Sequence, residues 1–125
     1  RIKFNVEIFI TLLIQADGME QTYNAEKIYE ELLTSTEMLE YVQNQCGMAQ
    51  EVGELITVGT ASGFTSDRLL PEERDSISVQ IVHNDADICK NMMNAVISYV
   101  ETKETELQSV IGEHVITIVA QSQGF

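Results

Sequence analysis

The sequence predicts an α+β domain of the two-layer kind, with a small mixed sheet packed against helices. Three observations lead there. Apolar and polar residues alternate from Ile2 to Ile14, apolar residues recur at helical spacing between Ala25 and Val42, and strand, helix and strand patterns follow one another from Ser76 to Ala120. At 125 residues the chain has the length of one domain with one core, so residues 1–125 are read as a single unit in the order β-α-α-α-loop-β-α-β.

The first strand places Ile2, Phe4, Val6, Ile8, Ile10, Leu12 and Ile14 on one face and Lys3, Asn5, Glu7, Phe9, Thr11 and Leu13 on the other, the period of a strand with one buried side. Asp17 and Gly18 end it with turn chemistry. The period then changes: Ala25, Ile28, Tyr29, Leu32 and Leu33, followed by Leu39 and Val42, recur every three or four residues between acids and Lys27, as amphipathic helix requires. Thr34-Ser35-Thr36-Glu37 reads as a capping box that separates two helices, with the Thr34 hydroxyl and the Glu37 carboxylate as the caps. Gly47 suits a left-handed helix end after Cys46, and a short third helix is expected over Ala49–Ile56.

From Gly59 to Asp75 small residues, charges and the only proline, Pro71, show no sustained period, so 59–75 reads as a flexible loop. Ile77, Val79 and Ile81 then alternate with polar residues, and Asn84-Asp85 offers a turn and a helix N-cap. Ile88, Met92, Ala95, Val96, Tyr99 and Val100 follow at helical spacing; this helix is expected to fray through the polar run 101–106. Val115 to Ala120 forms a last β-branched strand, and a strand, helix and strand in so short a span favour parallel pairing of the last two strands through a right-handed connection.

Twenty acids against seven bases give a net charge of -13, spread from Glu7 to Glu113. Such a surface repels phosphate backbones and anionic headgroups, so nucleic acid is not expected as a partner. The longest apolar run, from Phe9 to Ile14, is far shorter than the roughly 18–20 residues that cross a bilayer. The chain opens at Arg1 without Met or signal peptide, which reads as a fragment of something longer.

Candidate chemistry is sparse. Two cysteines, Cys46 and Cys89, fit no zinc motif and leave a disulfide or two free thiols open. His83 and His114 are expected a full strand length apart, too far to share a metal or a proton. Paired acids such as Glu30–Glu31, Glu72–Glu73 and Glu101–Glu104 fit solvated faces better than glycosidase carboxylates. Gly59-Thr60-Ala61-Ser62-Gly63 lacks the strand-to-helix setting of a phosphate loop. No catalytic residue, metal or cofactor is expected. An independent α/β regulatory domain that binds a small molecule or peptide at the carboxyl ends of parallel strands is an alternative reading.

Two segments carry a family resemblance. Ile28-Tyr29-Glu30-Glu31-Leu32-Leu33-Thr34-Ser35 followed by Glu37-Met38-Leu39-Glu40-Tyr41-Val42 gives a Tyr-acid-hydrophobic helix, a Ser-containing kink and a second helix; the strand from Ile77 to Val82, with Asp85-Ala86 and then Asn94-Ala95, gives a strand, a turn and a helix with an Asn-Ala pair. This resembles the extracytoplasmic domain of Wzz-like polysaccharide chain-length determinants and the capsular co-polymerases that modulate a tyrosine kinase. Ala86 stands where the family usually has proline. The resemblance spans Ile8 to Ala120 and makes Tyr29, Ser35, Leu39, Asp85, Asn94 and Ala95 structural positions, none of them catalytic. It implies a non-enzymatic domain held at the outer face of the cell membrane by flanking helices, assembling as a homo-oligomer beside the polysaccharide polymerase and near the nascent polysaccharide. In the kinase-linked branch it implies a cytoplasmic tyrosine kinase engaged by parts outside this chain. The acidic surface argues for scaffolding or polymerase contact over tight capture of an anionic glycan.

Overall fold

A computed structural model describes residues 6–48, 52–60 and 76–123. Four strands and three helices make up these residues: β1 (Val6–Ala16), α1 (Met19–Leu33), α2 (Thr36–Cys46), β2 (Ile56–Thr60), β3 (Ser76–His83), α3 (Ala86–Ile111) and β4 (His114–Gln123). The class is α+β, one sheet with helices on one side. The sheet order is β2-β3-β1-β4 and every neighbouring pair is antiparallel, which corrects the expectation of a mixed sheet. With α1 and α2 taken as one crossover, this is the split β-α-β-β-α-β arrangement of ferredoxin-like folds.

The alternation in β1 decides its position. Ile8, Ile10, Leu12 and Ile14 are all buried, and a strand that buries its inner row completely needs neighbours on both sides. β1 therefore takes the interior of the sheet, with Ile10 opposite Val79 of β3 and Ala120 of β4. This displaces the expected pairing of the last two strands. β3 and β4 run in the same direction, but β1 lies between them and binds both, so they share no hydrogen bonds.

The inner face is covered by Ala25, Tyr29 and Leu33 of α1, Met38 and Val42 of α2, and Cys89, Met92, Val96, Tyr99 and Val100 of α3, which form one cluster with the strands. Burying a side chain of this size contributes roughly 1.5–3 kcal/mol, so the helical stripes, not intrinsic propensity, hold the layers together.

Three local expectations change. The α2 N-cap is Ser35, whose Oγ accepts from the Met38 amide at 3.2 Å. Thr34 instead turns its hydroxyl back to the Glu30 and Glu31 carbonyls. The expected third helix over Ala49–Ile56 gives way to a turn, in which the Leu55 amide donates to the Val52 carbonyl at 3.0 Å, and then to β2. Ile56 and Val58 pair with Ile81 and Val79, so the β-branched run is an edge strand on the same core. Residues 49–51 lie outside the described residues, as do 61–75 of the expected loop, while Gly59 and Thr60 belong to β2.

α3 does not fray. Its polar run is fixed by specific bonds: Lys103 pairs with Glu37 of α2 at 3.0 Å and with Glu106 at 3.3 Å, and Thr102 and Thr105 donate to carbonyls one turn back. Gly47 closes α2 in the left-handed conformation, and Asp85 caps α3 by accepting from the Asp87 and Ile88 amides, both as expected.

Candidate functional site

The densest buried polar chemistry lies where β1 ends and β4 begins. His114, the first residue of β4, pairs with Ala16, the last of β1, and is 4% exposed. Its Nε2 lies 2.6 Å from the hydroxyl of Tyr29, which α1 projects into the core at 1% exposure. Its Nδ1 lies 2.8 Å from the Gly112 carbonyl. A carbonyl can only accept, so Nδ1 carries a proton; in the neutral imidazole Nε2 then offers a lone pair, to which the Tyr29 hydroxyl donates.

The next shell fixes this pair. The Gln108 side chain donates to the carbonyls of Glu104 and His114 at 3.0 and 2.9 Å and accepts from the His114 amide at 3.1 Å. One Glu104 oxygen accepts from the Ile116 amide at 2.9 Å. These bonds tie the last turns of α3 to the start of β4. Gly112 makes the turn with φ 101 and ψ 173, a region that essentially only glycine occupies.

Chemically, the arrangement holds its proton. Burial, and after it the negative charge of Glu104, pushes the Tyr29 hydroxyl well above the ordinary tyrosine range. The Nε2 lone pair that a general base would offer to a substrate is already committed to Tyr29. The cluster is a polar rivet in the core.

Beside it opens a hollow of about 660 Å³ lined by residues including Asp17, Gly18, Gln21, Ile28, Val110 and Ile111. Met19 and Val110 on its rim are 90% and 72% exposed. Gln21 spans its floor by donating to the Ile111 carbonyl at 3.1 Å.

A second polar cluster joins α2 to α3. The Tyr99 hydroxyl donates to Glu37 at 2.9 Å, the Tyr41 hydroxyl meets Ser98 at 2.9 Å, and the two tyrosine rings stand 5.5 Å apart. The ammonium of Lys103, followed by the hydroxyl of Tyr99, holds the Glu37 carboxyl below the usual range, and the Glu37 bond in turn raises Lys103.

The residues singled out by the resemblance occupy separate structural posts. Tyr29 is in the buried pair, Ser35 and Asp85 cap helices, Leu39 is half-buried against the core, and Ala95 is buried in α3. Asn94 is exposed on α3 and lines a shallow hollow of about 250 Å³ with Cys46 and Ser98.

His83 and His114 sit at opposite ends of β1, opposite Val6 and Ala16, which separates them by about 33 Å at strand rise. Cys46 and Cys89 are free thiols, and burial pushes both above the ordinary thiol range. Among the described residues, no three His, Cys, Asp or Glu side chains are placed to hold a metal, and no helix is long and apolar enough to cross a membrane.

The Tyr29–His114 contact escaped sequence reasoning because its members are 85 positions apart, and the pattern that contains Tyr29 does not extend to His114. No family model matches this chain, and neither a curated protein nor a solved structure does.

Proposed function

We propose that this chain is the extracytoplasmic, non-enzymatic domain of a membrane-anchored polysaccharide co-polymerase, a module that regulates chain length in capsular, exopolysaccharide or O-antigen synthesis. The observation that carries the reading is the position of the two ends of the fold. Val6 opens β1 and Gln123 closes β4, and Glu7 pairs with Gln123 across the two neighbouring strands, so both ends leave the same side of the sheet about 5 Å apart.

A domain inserted between two membrane helices needs this layout, since both connections must return to one membrane surface. The posts taken by Tyr29, Ser35, Leu39, Asp85 and Ala95 fit the same reading, for they pack the core and cap helices. Copies of the domain would assemble beside the polymerase. Where a kinase is involved, it would be engaged across the membrane by segments beyond this chain.

The test is the full gene product. Fractionation of cells should leave it in the membrane, with the domain digested by protease added to the outside. Recovery in the soluble fraction after ultracentrifugation would overturn the reading.

A second reading draws on the hollow beside Asp17 and Ile111, whose volume of about 660 Å³ lies in the range of small-molecule sites. The regulatory domain it describes would bind at the end of β1, and not at a row of parallel strand ends. A thermal-shift screen that finds a micromolar ligand, displaced by Ile28→Glu, would favour it.

A further inference from the structure

We propose that the outward face of the sheet is a docking surface for a second copy of this chain. This rests on the reading that copies of the domain assemble, and it names the surface they use.

The charge distribution carries the argument. The three helices hold thirteen charged side chains, ten acids and three lysines. The four strands hold one, Glu7. In a chain of net charge -13, two helical layers brought together would set acids against acids, which costs affinity at every contact. The outward sheet face sets only Glu7, at the first end of β1, against a second copy, and so keeps that cost small.

Its composition fits contact. The register that sends Ile8, Ile10, Leu12 and Ile14 into the core sends Phe9, Thr11 and Leu13 outward, and across from them stand Gln80, Val119 and Thr117. Val119 is 38% exposed, and Val115 on the same face of β4 is 58% exposed. Apolar and uncharged polar side chains without formal charge are what an interface core uses, where charges are depleted.

The area suffices. Strands of 11, 5, 8 and 10 residues, at about 3.3 Å per residue and about 4.8 Å apart, present a footprint of roughly 540 Å². Two such faces together remove on the order of 1,100 Å² from water, above the roughly 1,000 Å² that a specific interface needs. A partner of opposite charge would be drawn to the acidic helices. A second copy has no complementary charge to offer, and among the described residues the sheet face meets it with a single acid, Glu7, at the start of β1.

The experiment is sedimentation equilibrium of the 125-residue chain from micromolar to about millimolar concentration, the range that membrane tethering creates. A reversible dimer is expected. Thr11→Glu, at the middle of the face, and Val119→Glu should each weaken it by roughly tenfold or more, because a charge is then buried without a partner. Thr11→Lys should weaken it as well, although it lowers the net negative charge.

Val110→Glu, on α3, adds the same charge elsewhere and should leave the dimer unchanged. Circular dichroism melts establish that each variant is folded, and a Thr11 variant that fails to fold leaves the edge-strand Val119→Glu to decide.

A chain that stays monomeric to millimolar concentration overturns the proposal. So does a dimer that resists the sheet substitutions, one strengthened by Thr11→Lys, or a monomer whose sheet face binds glycan instead. A dimer lost with the sheet substitutions, in cells whose polysaccharide length does not respond to the protein, would uphold the interface and sink the co-polymerase reading.

Discussion

Tyr29→Phe is the sharpest perturbation of the buried pair. The phenylalanine ring fills the same space, so the substitution removes one oxygen and leaves His114 Nε2, in a residue 4% exposed, without the hydroxyl that reaches it at 2.6 Å. A buried acceptor stripped of its donor costs about 1–3 kcal/mol. At about 4 °C per kcal/mol for a domain of this length, the melting midpoint falls by roughly 4–12 °C.

The assay is urea and thermal unfolding near neutral pH, followed by circular dichroism. His114→Leu removes the other partner and also the link to the Gly112 carbonyl. The double variant should be more stable than the sum of the two losses predicts, by at least about 0.5 kcal/mol, because two groups in contact are coupled. A Tyr29→Phe protein within about 0.3 kcal/mol of the parent, or strict additivity, would refute the buried hydrogen bond between Tyr29 and His114.

Ser35→Ala should cost about 0.5–2 kcal/mol through loss of the α2 cap, while Thr34→Ala should stay within about 0.5 kcal/mol of the parent; the reverse order in urea midpoints would restore Thr34 as the cap. Gly112→Ala should destabilise by about 1–3 kcal/mol, since the backbone angle excludes a side chain and the new Cβ would stand 2.5 Å from Gln21 Nε2; an unchanged melting midpoint would count against that turn.

Glu37 is held in its charged form by Lys103 and then Tyr99. Its contribution is therefore present above the unfolded glutamate value of about 4.3 and is lost as pH falls through the lower folded value. Lys103 is raised, so its share is present below the unfolded lysine value and is lost as pH rises through the higher folded one. Glu37→Gln should thus shift the urea midpoint near neutral pH and lose that shift in strong acid, and a shift that persists in acid would contradict the pairing.

Much of the fold was legible because single segments carried it. Ile8, Ile10, Leu12 and Ile14 announce a strand with one buried face by their alternation alone, and Asp85 and Gly47 declare helix ends through local chemistry. What could not be read depends on partners distant in sequence. Nothing in β1 says that it will lie between β3 and β4, because that follows from competition among strands for the most buried position.

Thr34 and Ser35 differ by one residue and both are good caps, so the choice fell to where α1 ends. The run from Glu101 to Glu106 looked like a fraying end because its anchors, Glu37 and the Ile116 amide, belong to other elements. Ile56 reads as the end of a helix and Gly59 and Thr60 as the start of a loop, because the five residues of β2 are too few to set a period against their neighbours. The Tyr29–His114 pair was hidden for the same reason as the sheet order, since it exists only once α1 lies over the start of β4.

The role we propose for this domain is to regulate polysaccharide length without itself performing chemistry. The most direct measurement is the size distribution of surface polysaccharide from cells with and without the full gene product, resolved by gel electrophoresis. Loss of the protein is expected to shift and broaden the distribution while sugar incorporation continues, and the intact gene to restore the original profile. An identical distribution in both cells would contradict that role.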